Sequence, residues 1–406
     1  MNKVEPVLAT KIPQGLKVVD ADTHYTEPHD LWTSRVPAKY KDLMPHVVRK
    51  PNGRDVWLFN GDEILNEHAG AACSILKDGG KFNFWETDIM EGPQLDEVHE
   101  SSWNLKARLA MMDKMNVWAQ IVYPNVLGFG AQRLMNLKDQ KLALQILSVY
   151  NDAMAELQAQ SNNRFFPQAL VPFWDVKAAA KEVARCKTEL KMTGIAMCPE
   201  PHFFPGLPDI QDHHWDPLWE VCSDLSIPIN FHIGASPTNY DIFDVAWPSQ
   251  DRHRRWVIAM AFLESAQSRI VANLVTGDLL VRFPKTKWVS VESGIGWIPF
   301  FLERMEYQLY ESDPKNSKLV NYDRPSPTEL FKRQVYACYW FEKTGPERQL
   351  DVIGVDNVLF ESDFPHPTCL FPSPVERALK SLESWGEDIQ RKVMGGNAAK
   401  LYNLPT

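Results

Sequence analysis

The feature that most constrains this chain is a recurring pair: a short apolar run, then a stretch of helical periodicity. Eight such runs follow one another: Lys17–Asp22, Ala119–Tyr123, Gln168–Val171, Gly194–Met197, Ile227–His232, Lys287–Glu292, Gln334–Cys338 and Val358–Asp363. Short runs without strict alternation suit strands covered on both faces, as in a parallel sheet. Their alternation with helices predicts the α/β class, and eight repeats of the pair predict a (β/α)8 TIM barrel. The helices between them carry signals of their own. Asp175 precedes a pattern of Val183, Cys186 and Leu190, with Gly194 as the expected stop. Asp216 is the expected cap of a helix starting at Pro217, where the missing N–H costs nothing. The segment from about Lys138 to Gln160 places Leu142, Ile146, Leu147, Tyr150, Met154 and Leu157 on one face. A doubly wound sheet is the competing arrangement, but neither a GxGxxG nor a Walker A sequence supports it.

A barrel needs roughly 250 residues, and this chain has 406. The surplus is expected in insertions on a single barrel unit. The largest follows the first strand, from Trp32 to Ser102, and reads as a lid or rim. It contains the hairpin signal Pro51-Asn52-Gly53 between Val47–Val48 and Val56–Phe59. A second, proline-rich connection runs from Tyr310 to Pro327. The formal charge of −9 removes any global electrostatic reason to bind nucleic acid or an anionic membrane. The longest apolar run, Trp256–Leu263, is too short to cross a bilayer. The six cysteines form no CxxC pair, and the first residues show no signal-peptide pattern, so a cytoplasmic protein with free thiols is expected.

Catalytic groups of a barrel come from the C-terminal ends of its strands. The first run leads into Asp20-Ala21-Asp22-Thr23-His24, and residues two apart on a strand point the same way. The fifth ends in His232, the sixth in Glu292 and the eighth in Asp363. Singly, each has an ordinary reading: a hydrogen-bonded core histidine, a helix cap, the start of a turn. Together they would crowd like charges at one barrel mouth, which is costly unless a cation compensates.

The stretches VVDADTHYTEPHDLW, IPINFHIG, VSVESGIGWIPFFLERME and LFESDFPHP, in that order between about Val18 and Asn397, resemble the amidohydrolase-related family. This branch of the amidohydrolase superfamily contains aminocarboxymuconate semialdehyde decarboxylase and the resorcylate decarboxylases. The resemblance implies that the first-strand metal motif falls on Asp22 and His24. It implies that His232 is the fifth-strand ligand and Asp363 the eighth-strand ligand and proton carrier. The sixth-strand position, usually a histidine that handles protons, is Glu292 here. The fourth strand ends Met197-Cys198-Pro199-Glu200 and lacks the lysine whose carbamate bridges two metals in other members. One divalent ion is therefore implied, zinc first, with manganese or iron as alternatives. Two imidazoles and two or three carboxylates suit all three.

The expected activity is hydrolysis of a small amide, lactone or ester by metal-activated water. Asp363, Glu292 and His232 would form the catalytic set. The alternative is non-oxidative decarboxylation of an aromatic or unsaturated acid. It stands second because a carboxylate at position 292 would repel an acidic substrate. A barrel that binds without turnover is the reading from a different class. A serine hydrolase is set aside because no GxSxG elbow occurs. His202, Trp297 and His366 are candidates to line the substrate site. His213 and His214 read as surface residues, and assembly into a dimer or tetramer is expected from the resemblance.

Overall fold

The computed structural model describes residues 10–66, 73–82, 92–237, 247–312 and 324–405. Each of the eight apolar runs contains strand. The strands are β1 (Val19–His24), then β2 (His46–Arg49), β3 (Asp55–Phe59) and β4 (Glu63–Asn66) of the insertion, and β5 (Ala119–Tyr123). They continue as β6 (Phe165–Pro167), β7 (Ala169–Leu170), β8 (Ile195–Ala196), β9 (Ile229–His232), β10 (Trp288–Val291), β11 (Val335–Tyr339) and β12 (Val358–Phe360). Outside the insertion every ladder is parallel, in two arcs: β1-β5-β6 and β7-β8-β9-β10-β11-β12.

Hydrogen bonds join the arcs at both seams. Pro167 has no N–H to give, and the third barrel strand breaks there into β6 and β7. Across the break Gln168 N donates to Val122 O at 2.9 Å, and Ala169 N donates to Gly194 O at 3.0 Å. At the other seam Asp363 N donates to Asp22 O at 3.0 Å, and His24 N to Phe364 O at 2.8 Å. The result is the (β/α)8 ring, with β1 and β12 side by side. The strands are buried along nearly their whole length, as a parallel sheet under a coat of helices requires.

The helix signals hold with two corrections. Asp175 caps Val176–Thr188, accepting from Lys177 N and Ala178 N. Asp139 caps the long helix Gln140–Gln160, which buries Leu142, Ile146, Leu147, Tyr150 and Met154. Asp216 is not a cap. It is the first residue of Asp216–Asp224, and its carboxylate is taken by His213 and Arg282 instead. Gly194 does not stop a helix, because Val176–Thr188 ends six residues earlier. It is glycine because a Cβ there would lie 2.1 Å from the side-chain oxygen of Gln168.

In the insertion, β2, β3 and β4 form an antiparallel meander, with the expected hairpin between β2 and β3. Ser74 N donates to Pro365 O at 2.7 Å and Ser74 Oγ to His366 O at 2.7 Å, so the insertion touches the loop after β12. Residues 67–72 and 83–91 of the insertion, and 313–323 of the second long connection, lie outside the described residues. No helix among the described residues is long and apolar enough to cross a membrane.

Candidate metal centre

Asp20, Asp22 and His24 lie along β1, whose pairing with β5 slips by one residue between Asp20 and Thr23, and all three are fully buried. Asp20 is absorbed locally. Its oxygens accept from Ser362 N at 2.8 Å and Ser362 Oγ at 2.5 Å, and burial lifts its carboxyl to about 8. Asp22 and His24 face inward, where His232 arrives from β9 and Glu292 and Asp363 from the ends of β10 and β12.

Five side chains meet there. His24 Nε2 and His232 Nε2 are 3.1 Å apart. Asp22 Oδ1 lies 3.5 Å from the first and 3.4 Å from the second. Asp363 Oδ1 is 3.7 Å from His24 Nε2, and Glu292 Oε2 is 3.6 Å from His232 Nε2. Both imidazoles spend Nδ1–H on a backbone carbonyl: His24 on Pro124 O at 3.3 Å, His232 on Ile233 O at 2.6 Å. A carbonyl only accepts, so each neutral ring carries its proton on Nδ1 and aims the Nε2 lone pair at the other. That is how a protein presents imidazole to a metal.

The carboxylates point to the same conclusion. Both oxygens of Asp22 are buried without a hydrogen-bond donor, and buried Oδ1 of Asp363 has only the ring nitrogen of His366 beside it. Such orphaned charge is costly and calls for a compensating cation. Metal–ligand bonds of about 2.0–2.2 Å imply donor–donor separations of roughly 2.8–3.6 Å in four- to six-coordinate shells. The separations above lie in that range or at its edge. Asp22, His24, His232 and Glu292 form one donor group, and Asp363 joins His24, Glu292 and His366 in a second that overlaps it, so the residues fit a divalent ion where the groups meet.

The charges interact strongly. Burial raises Asp22, and Asp363 adds to that while His232 opposes it. Burial, then the charges of Asp363 and Asp22, push Glu292 well above the usual carboxylate range. Burial lowers His24, with His366 and His232 adding to the effect. For His232 burial works downward, but Asp22, the Ile233 carbonyl and Asp363 together oppose it and the ring is raised. A divalent ion inverts this logic by favouring every ionised carboxylate around it.

Backbone strain marks two of the five. Glu292 (φ +53°) and Asp363 (φ +58°) both adopt the left-handed conformation, which costs a non-glycine residue of order 1 kcal/mol or more and persists where surrounding contacts impose it. Glu292 N donates to Glu361 Oε2 at 3.0 Å. In the next turn Ile295 N and Gly296 N donate to Glu342 Oε1 at 2.9 and 2.8 Å. Asp363 Oδ2 accepts from Thr368 Oγ1 at 3.2 Å.

The remaining candidates separate. His366 joins the cluster: its ring stacks on His24 with centroids 3.6 Å apart, and its Nδ1 is 2.9 Å from Asp363 Oδ1. Trp297 donates its indole N–H to Ser293 O and packs on Phe301, an ordinary structural role. His202 is exposed against Phe203. Beside the cluster a cleft of about 220 Å³ is lined by Asn125, Phe129, Gln132, Arg133, Phe204 and Ser236, among others, and by neither His202 nor Trp297. The Phe129 ring joins cleft to cluster, 4.3 Å from His232 and 5.0 Å from His24. Its loop follows β5 and presses on the end of β8, where a Cβ on Gly130 would lie 2.4 Å from Cys198 N. Asn125 accepts from His366 Nε2 at 3.0 Å. The sequence reading missed Asn125 and Phe129. The available signal was polar and glycine-rich sequence directly after a barrel strand.

Residues 19–404 match the amidohydrolase family profile. Among curated relatives, the chain is 34% identical over 368 residues to a gamma-resorcylate decarboxylase of Rhodococcus jostii, covering 85% of this chain and 99% of that protein. It is 20% identical over 376 residues to 2-amino-3-carboxymuconate-6-semialdehyde decarboxylase of Dictyostelium discoideum, covering 89% of this chain and 91% of the relative. Among solved structures, it resembles 5-carboxyvanillate decarboxylase of Novosphingobium aromaticivorans, complexed with manganese and 4-hydroxy-3-methoxy-5-nitrobenzoic acid. The TM-score is 0.66 at 16% identity, over 97% of this chain and 98% of that one.

Proposed function

The chain belongs to the amidohydrolase family, and from that premise we propose that it is a metal-dependent, non-oxidative decarboxylase of an aromatic or unsaturated carboxylic acid. This reverses the order of the two activities expected from the sequence. Decarboxylase names on relatives aligned along almost the whole chain support the reversal. The repulsion argument from Glu292 also weakens, because its carboxylate sits among metal-type donors. Manganese in the similar solved structure favours that ion over the zinc first expected.

The observation that carries the reading is the convergence of two Nε2 atoms with the orphaned oxygens of Asp22 and the buried carboxylate of Asp363. Asp22, His24, His232 and Asp363 would hold the ion. When bound, it would supply positive charge to fix the substrate's oxygens and spread the charge that develops as carbon dioxide leaves. The protein's own residues do the rest. Phe129 and Phe204 offer apolar faces to a flat, unsaturated substrate, and Asn125, Gln132 and Arg133 offer donors to its oxygens. Asp363 carries a proton to the carbon that bore the carboxylate. The carbon–carbon bond breaks, its electron pair stays on that carbon, and carbon dioxide departs. Water then restores the proton to Asp363. Thr368 and His366 keep Asp363 oriented.

The test is purified protein with added manganese or zinc, offered hydroxylated benzoic acids on one side and esters, lactones and amides on the other. Carbon dioxide release that stops with a chelator, with one deuterium placed on the product carbon in D2O, is expected. Hydrolysis without carbon dioxide would restore the hydrolase reading. Full metal occupancy with neither reaction would favour the binding barrel.

A further inference from the structure

We propose that Glu292 is itself a metal ligand, a third carboxylate that biases the centre toward a hard, oxygen-seeking ion such as manganese relative to zinc. Three independent features of the site support this. First, Glu292 Oε2 stands 3.6 Å from His232 Nε2, the same kind of spacing that separates the other donors. It belongs to both overlapping donor groups, one with Asp22, His24 and His232 and one with His24, Asp363 and His366. Second, the backbone is arranged to put it there. The left-handed turn at Glu292 is held by its N–H on buried Glu361, and the turn after it by Glu342. Third, the fully buried Asp22 carboxylate in the same cluster has no hydrogen-bond donor on either oxygen. An ion between them would satisfy both residues at once.

The chemical consequence follows from donor counting. Two imidazoles with Asp22 and Asp363 already neutralise a divalent ion. Glu292 adds a further oxygen and a further negative charge, a shell that suits manganese better than a compact tetrahedral one. Zinc keeps the higher absolute affinity at almost any such site, so the inference concerns the ratio of the two affinities. It rests on the metal-site part of the function proposed above and not on which reaction the site performs.

Metal-free wild type and Glu292→Gln are titrated with manganese and with zinc against a competing chelator, and both metal-free proteins are melted to compare their folds. Glu292→Gln is expected to weaken manganese binding by about tenfold or more and zinc binding by less, so that the zinc-to-manganese affinity ratio rises. Independently of any variant, the manganese-loaded wild type is crystallised and the ion located by its anomalous signal. A Glu292 oxygen within about 2.4 Å of the ion is expected. Manganese affinity within about twofold of wild type, or an ion more than about 3.5 Å from both Glu292 oxygens, overturns the inference. Neither readout uses turnover. A hydrolase would leave the inference standing, and its failure would leave the decarboxylase reading to its own test.

Discussion

Glu27 offers a perturbation whose size can be worked from the structure. Its side chain is fully buried behind the cleft, three residues past His24. Oε1 accepts from Asn125 N at 2.9 Å and Val126 N at 3.1 Å, while Oε2 has no hydrogen-bond donor. Burial raises the carboxyl from 4.5 to about 7, against the pull of those backbone donors and Arg133. The native state therefore holds the proton more tightly than the unfolded chain does. The stability this contributes is fully present below about pH 4.5 and is lost as pH rises through about 7. Roughly 2.5 decades at about 1.4 kcal/mol each give a loss of about 3 kcal/mol. Glu27→Gln keeps an oxygen for both backbone donors and cannot ionise. Between about pH 4 and pH 9 its stability should fall about 3 kcal/mol less than that of the wild type. With an unfolding entropy of roughly 2.1 cal/mol/K per residue, that is a difference of about 3–4 °C in Tm. Calorimetric melting of both proteins across that range, at fixed metal concentration, checks it. Parallel Tm curves, within about 1 °C at every pH, would refute the reasoning. The same carboxylate holds the loop whose Asn125 accepts from His366. Glu27→Ala, which leaves two buried N–H groups without an acceptor, should therefore destabilise at every pH.

Two further outcomes are expected. His232→Ala and Asp363→Asn should each lower kcat by about a hundredfold or more while circular dichroism stays unchanged, because both sit at the mouth of the barrel; a variant with wild-type turnover removes that residue from the site. Arg108→Met should lower stability by about 3 kcal/mol, since it strips donors from the buried oxygens of Ser101, Gln120 and His24, and each orphaned group costs about 1–3 kcal/mol. An unchanged melting temperature would show that the arginine is dispensable.

What the sequence revealed and what it hid follow from the same geometry. Strands buried on both faces must be apolar almost throughout, so all eight barrel strands were legible as runs. The polar residue ending a run marks where the strand reaches the mouth, which is why Asp22, His24, His232, Glu292 and Asp363 could be named together. Direction is readable only while the strand lasts, because the two-residue alternation stops with it. His202 and Trp297 lie just beyond a strand end, yet one turns outward and the other packs on Phe301. Phe129 stands as far past β5 as His202 does past β8 and Trp297 past β10, and still reaches both histidines, because its neighbour Gly130 lets the loop close against β8. Partnerships across the barrel were hidden for a related reason. Glu361 holds the backbone of a residue 69 positions away, and no local pattern records such a contact. The expected order of the two activities turned on this point. A carboxylate at 292 reads as repulsive when only the substrate is considered, but Asp22 and Asp363 across the mouth change its meaning. The charges of Asp363 and Asp22 already act on Glu292 before any substrate arrives. A cation that relieved that crowding would also remove the repulsion against an acid.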